Sequence, residues 1–328
     1  MGRGGDARGE EVVTAQTIEN VLQALVAGLL VGAIYGLMCV GLALIFGVMR
    51  VINFAQGDFM MLGMYGAFYV FAALTAVLGV SGGVTPYVAI LLTGPLLFVV
   101  GYAAHALLIS RVSGTRSARL DGDGHYAQLI LTLGIALIVQ NGALIAFGSQ
   151  LISVRTSLSS AAWTVPLGEE IMLFVNQARG VAALVSVAVI VALTLLISRS
   201  TLGKALRASA DNPEAATYMG IDVARSHRLA FGLGVGVTAI AGGLLATTLP
   251  FQPFVGLDYV IVMYAGVVLG GMGSIGGAFL GGMTIGLVQQ LSTLILPTQL
   301  QNTAIFVVFL TIVFLRPQGF FGRVSERT

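Results

Sequence analysis

Long apolar runs separated by short polar intervals recur along nearly the whole chain. The first, Ile18–Met49, would be roughly 48 Å long as one helix, against a hydrocarbon core of about 30 Å. It is therefore either steeply tilted or broken near Gly32–Gly36 or Gly41, which leaves the side of its N-terminus open. Further apolar spans fall at Phe59–Gly79, Pro86–Ser110, Ala127–Phe147, Val181–Ser198, Leu229–Leu249, Tyr259–Met272, Ile275–Leu296 and Thr303–Leu315. The pattern predicts an all-α polytopic membrane protein of about 8–10 transmembrane helices, short or broken ones included. Residues 1–17 read as a polar, Gly-rich tail, disordered or at the surface. Residues 18–316 read as the transmembrane domain and 317–328 as a cytoplasmic tail. No cleavable leader is expected, because the run from Ile18 is far longer than a signal core.

Composition agrees with the pattern. Hydrophobic residues make up 57% and charged residues 9% of the 328, where a soluble domain carries roughly 25% charged. A net charge of +2 leaves no footprint for nucleic acid. The single cysteine, Cys39, lies in an apolar run and can form no intrachain disulfide. It suggests no metal site either, and no cofactor is expected. The loops 111–126, 199–228 and 316–328 together hold eleven Lys/Arg, whereas those near 80–85, 149–179, 250–258 and 297–302 hold two, Arg155 and Arg179. By the positive-inside rule the first set is cytoplasmic.

The longest polar interval between apolar runs, Arg199–Arg228, carries five of the sixteen basic residues. Within it a short helix is specified at both ends. Asn212 can cap the free N–H groups, Pro213 suits the first helical position, and Glu214 favours the positive end of the dipole. Gly220 reads as a left-handed stop, with Ile221 folding back. A helix of about two turns, on the order of 10 Å, is too short to stand alone and must dock on something. It is either a solvated connector or a docking element for a soluble partner.

Three other stretches carry polar or small residues among apolar ones. Asn53, Gln56 and Asp58 lie within six residues of one another. They form either a polar turn after Arg50 or a broken helix bordering a substrate path. Gln140 and Asn141 are neutral amides that either glue helices together or line the path. Gly270 and Gly271 mark a break between spans, and Gly273, Gly277 and Gly281, four apart, allow close helix approach. The Gly-rich stretch is no phosphate loop, since a Walker motif needs Gly-Lys-Ser/Thr and the only lysine is Lys204, followed by Ala205. His105, His125 and His227 are scattered and assemble no catalytic site. Asp258 reads as interfacial, at the outer end of its span. Trp163 reads as an interface anchor in the exterior loop, which is also a candidate for docking an external binding protein.

These motifs resemble a family. Glu214-Ala215-Ala216 followed by Gly220 matches the E-A-A-x-x-x-G loop of ABC importer membrane subunits. The usual proline about ten residues on is absent, with Ala230 and Leu233 there and no proline before Pro250. That departure suits the branched-chain amino acid branch better than the sugar branch. Asn53-Phe54-Ala55-Gln56-Gly57-Asp58 resembles the N-F-A-H/Q-G-D/E signature of branched-chain amino acid permeases. Thr132 through Asn141 resembles their T-x-x-G…Q-N helix, and Gly270–Ile275 their L-G-G-x-G-S-I segment, with Gly276 where a proline often follows. The resemblance covers about Val21–Phe320.

The resemblance implies a non-enzymatic permease subunit of the inner membrane. Asn212, Pro213, Glu214, Ala215, Ala216 and Gly220 would seat on separate ABC ATPase subunits. A second permease, like or unlike, and an external substrate-binding protein would complete the system. Branched-chain or other hydrophobic amino acids are the first cargo; urea, short amides, aromatic acids and nucleosides are alternatives within the class. A secondary transporter or channel is the alternative outside it. That would need ion-coupling carboxylates within the spans, and Asp58 is the sole candidate.

Overall fold

A computed structural model describes residues 4–79, 82–112, 123–166, 171–316 and 319. Of the polar segments discussed above, 113–122, 167–170 and nearly all of 317–328 lie outside the described residues. The protein is helical almost throughout. The helix α1 (Gly4–Met49) is one unbroken element of 46 residues. It starts inside the expected tail, and none of Gly32, Gly36 and Gly41 breaks it. After α2 (Gln56–Leu78), α3 (Thr85–Ala104) runs through one π-helical turn (His105–Ile109) into a closing turn, α4 (Ser110–Val112). Then come α5 (Asp123–Phe147), a hairpin of β1 (Ala162–Pro166) and β2 (Met172–Asn176), and α6 (Gln177–Arg199). The chain continues through α7 (Thr201–Asp211), α8 (Pro213–Tyr218), α9 (Val223–Ala246), α10 (Val255–Gly270), α11 (Ile275–Ser292) and α12 (Gln301–Leu315). Among the described residues, six helices are long and apolar enough to cross a membrane, and α10 and α12 are shorter apolar helices.

The two ends of the bundle are distinct. At one end, Phe174 of the hairpin donates its N–H to Gln23 Oε1 at 3.0 Å, which fixes the N-terminal half of α1 there. Trp163 covers Gly180 at the same end, leaving no room for a side chain at that glycine. At the other, basic end, a cavity of about 720 Å³ is lined by Phe46, Gly47, Arg50, Arg207, Asp211 and Ser274, among others.

The helices α1 and α9 form the axis of the bundle, each 83% buried along its most apolar window, against 22% for the peripheral α5. They run in opposite directions, and each leads a set of three. As α11 packs along α1, α3 packs along α9; as α10 packs on α11, α2 packs on α3. Sequence marks correspond two hundred residues apart (254 − 54 = 200): Gly32 and Gly36 with Gly232 and Gly236, Phe54 and Asp58 with Phe254 and Asp258, Gly66 with Gly266. The contacts correspond too. Gly36 meets Gly282 of α11, and Gly236 meets Gly94 of α3. The Phe59 ring meets Phe231 edge-on at 6.0 Å, and Tyr259 meets Tyr35 at 5.9 Å. The chain thus contains an inverted repeat, the device by which many transporters place broken helices near the midplane.

Glycine lets the axis close. Gly28, Gly32 and Gly36 of α1 lie against Leu287, Met283 and Phe279 of α11, while Gly282 and Gly286 lie against Gly36 and Gly32. A side chain at any of these would meet backbone or a packed ring. Their fourfold spacing therefore marks a seam between helices, where backbones approach closely.

The connectors before α2 and α10 turn back into the bundle. Past Met49 the chain bends at Arg50 (φ 54) and runs without helix to Ala55. Past Ala246, the second connector is held by Phe251 N–H donating to Ile152 O at 2.8 Å and Ile152 N–H to Phe251 O at 3.0 Å. Both following helices begin deep in the bundle, where Gly57 and Gly256 meet backbone to backbone.

Candidate functional site

The short helix α8 forms as its end signals dictate. Asn212, with extended backbone (φ −147, ψ 100), accepts from Ala215 N–H through Oδ1 at 3.0 Å. Pro213 takes the first turn, where no N–H is needed. At the far end Ile221 N–H reaches back to Ala216 O at 3.0 Å around Gly220, whose φ is 80. Nothing lies within 4 Å of a Cβ at Gly220, so only the backbone conformation demands glycine there.

The helix has two faces. Ala216 is buried, 4% exposed, on the side where α8 meets α7 and α9. Glu214 and Ala215 are exposed, and Tyr218 and Met219 stand out at 88% and 82%. Ala216 thus packs within its own chain, while the outward side chains include Glu214, Ala215, Tyr218 and Met219. Sequence reasoning missed the last two; their signal was bulk and apolarity in an otherwise polar interval. Beside them a recess of about 420 Å³ opens between α7 and the α8–α9 turn, walled by Leu202, Leu206, Ile221 and Leu229 among others. Asp222 caps α9 by accepting from Arg225 N–H at 2.8 Å.

At the start of α2, Asn53 and Gln56 are fully buried. Asn53 Nδ2 donates to Gln56 Oε1 at 2.9 Å, and Gln56 Nε2 donates to Thr238 Oγ1 of α9 at 2.6 Å. Phe54 N–H donates to Thr132 Oγ1 of α5 at 3.4 Å. These amides tie helices together inside one chain and border no open space. Asp58 is 2% exposed, and its Oδ1, without a hydrogen-bond partner among the described residues, faces the first turn of α10 at Gly256.

On α5, Gln140 is buried and its Nε2 has no hydrogen-bond partner among the described residues, whereas Asn141 turns outward and donates to Leu137 O of its own helix at 2.8 Å. Gly270 and Gly277 face each other, and Gly281 faces the Gly266 carbonyl, so α10 and α11 close on one another. Gly271 (φ 92) and Gly273 (φ 87) make the turn between those helices instead. The acid that sequence reasoning set at the outer end of its span, Asp258, lies in the first turn of α10, exposed and level with Gly57. The recurrence of Phe54…Asp58 as Phe254…Asp258 was the signal available for it.

An inverted repeat with two helices starting inside an apolar bundle defines a multi-pass membrane transport component. The chain belongs to the family described as branched-chain amino acid transport system, permease component, which matches residues 24–315. It is 29% identical over 308 residues to the high-affinity branched-chain amino acid transport system permease protein LivH of Escherichia coli K12, covering 92% of this chain and 96% of that protein. The Pseudomonas aeruginosa permease BraD is also 29% identical, over 93% of this chain and 97% of its own length. A probable LivH of Methanocaldococcus jannaschii is 30% identical over 78% of this chain and 76% of its own. No solved structure matches the chain.

Proposed function

We propose that this permease forms half of the membrane path of an ABC importer for branched-chain amino acids, driven by separate ATPase subunits seated on α8. The observation that carries this is the two-faced helix: Ala216 anchors it to the bundle while Glu214, Ala215, Tyr218 and Met219 project from it. A helix this short does not persist unless docked, and two adjacent large side chains projecting beside an apolar recess suit a surface that a partner covers. The basic loops set α8 on the cytoplasmic side, where ATP is, and the hairpin outside, where a binding protein delivers cargo. A second permease, like or unlike, supplies the other half of the path across the inner membrane.

Closure of the ATPases would move α8, and α8 bears on α7 and α9. The middle of α9 holds the start of α2 through Thr238 and Gln56. A push at the cytoplasmic face would therefore reach the first turn of α2 along α9, and that of α10 through the Gly57–Gly256 contact. Co-expression with candidate ATPase subunits and a binding protein tests the reading: the assembled complex should take up leucine, isoleucine or valine with ATP, and this chain alone should hydrolyse none. ATP hydrolysis by the isolated chain, or amino acid uptake without ATPases, would refute it.

A further inference from the structure

We infer that the cargo-facing surface is the first two turns of α10, with Asp258 receiving the cargo's ammonium group. The inference rests on the reading of this chain as an amino acid permease. Its basis is the depth at which Asp258 stands. Gly57 lies against both Gly256 and Val260, so Asp258 is level with it. The neighbouring Gln56 bonds to Thr238, near the centre of the apolar run 229–249 of α9. Asp258 therefore lies near mid-depth of the apolar bundle, yet its side chain is exposed on the surface of this chain. A charged group at that depth is stable only against water or a polar partner, not against lipid.

The surroundings fit one chemistry. Phe254, just before α10, and Leu257 and Ile261 on it are 42%, 54% and 44% exposed, and the latter two share the face of α10 that displays Asp258. Phe54, the repeat counterpart of Phe254, is exposed beside Tyr264 of the same helix, ring centroids 5.7 Å apart. One carboxylate among aromatic and branched apolar side chains suits a small molecule with a cationic head and an apolar body, which an aliphatic amino acid is. The counterpart acid, Asp58, is buried behind Gly256 and reaches no such surface. The repeat thus displays one acid and hides the other.

The test uses the complete complex in a Cys39→Ser background. Leu257→Cys should react with a charged, membrane-impermeant thiosulfonate, with leucine slowing the reaction, whereas Leu310→Cys on α12 should react only with a lipid-soluble maleimide. Asp258→Asn should lower leucine uptake at least tenfold with assembly intact; Asp258→Glu should recover part of it, and Asp58→Asn should keep more than half. Uptake at the wild-type rate by Asp258→Asn overturns the inference. So does Leu257→Cys reacting only with the lipid-soluble reagent, as at a lipid face, or with neither, as against a partner helix. If the wild-type complex carries no amino acid, the functional reading fails alone; aqueous labelling of Leu257→Cys still decides the surface.

Discussion

Gly57 and Gly256 meet backbone to backbone at the crossing of α2 and α10, so close that a side chain on either would run into the other's peptide group. This contact lets two helices begin at the same depth from opposite ends of the bundle. Replacing Gly256 with alanine forces its Cβ against the Gly57 carbonyl and to 2.9 Å from Asp58 Oδ1. Overpacking of this kind is expected to destabilise by about 1–3 kcal/mol. Thermal unfolding of the purified variant in detergent should show a lower midpoint, and uptake should fall with it.

The projecting face of α8 gives a second prediction. Tyr218→Ala with Met219→Ala should weaken co-purification with the ATPase at least tenfold while the permease still inserts and purifies. Ala216→Trp acts differently. It should dislodge α8 from α7 and α9, read as increased protease cleavage near Gly220 even without any ATPase.

At Gly220 the cost is purely conformational. With open space around its Cβ and φ at 80, valine should disfavour the helix stop by about 1–2 kcal/mol. Asparagine, which tolerates this conformation, should restore most of the coupling. ATPase association of Gly220→Val beside Gly220→Asn checks the point.

Thr238→Val removes the short bond from Gln56 Nε2 and leaves that donor the Gly234 carbonyl at 3.4 Å, while Gln56 Oε1 still accepts from Asn53. A buried amide so deprived should cost about 1–3 kcal/mol. Pairing the change with Gln56→Leu should return part of the loss, and a double-mutant comparison of unfolding midpoints measures it.

The orientation is open to cysteine labelling in the Cys39-free chain. Thr217 and Ser157 are both exposed; cysteine at the first should react from the cytoplasmic side and at the second from outside. Ser209, polar in sequence and placed in the same basic loop, is buried and makes a poor reporter.

The apolar spans were legible because hydropathy is a local property, and α5 ends at Phe147 where the pattern ends. The caps of α8 were legible for the same reason: Asn212, Pro213 and Gly220 act on their own neighbours. Contacts between distant helices were not. The glycines of α1 read equally as breaks or as a seam, and only α11 decides between them. Asn53 and Gln56 look like path residues until Thr238, nearly two hundred residues away, is seen to satisfy them. Ala215 and Ala216 are chemically the same, and only the position of α7 and α9 makes one outward and the other inward. Hydropathy also set the start of α10 too late, because Gly256 and Asp258 lower it where the helix in fact begins.

The inverted repeat is fastened unequally. At its start α2 is joined to α9 by the Gln56–Thr238 bond at 2.6 Å, while α10 is joined to α1 by the Tyr259–Tyr35 ring pair, centroids 5.9 Å apart, and by the Cys39 thiol donating to Met263 O at 3.7 Å. Of two otherwise corresponding arms, one is held by an amide hydrogen bond and the other by aromatic and thiol contacts. To move against α9, α2 must break a buried amide bond, whereas α10 must part a tyrosine pair to move against α1.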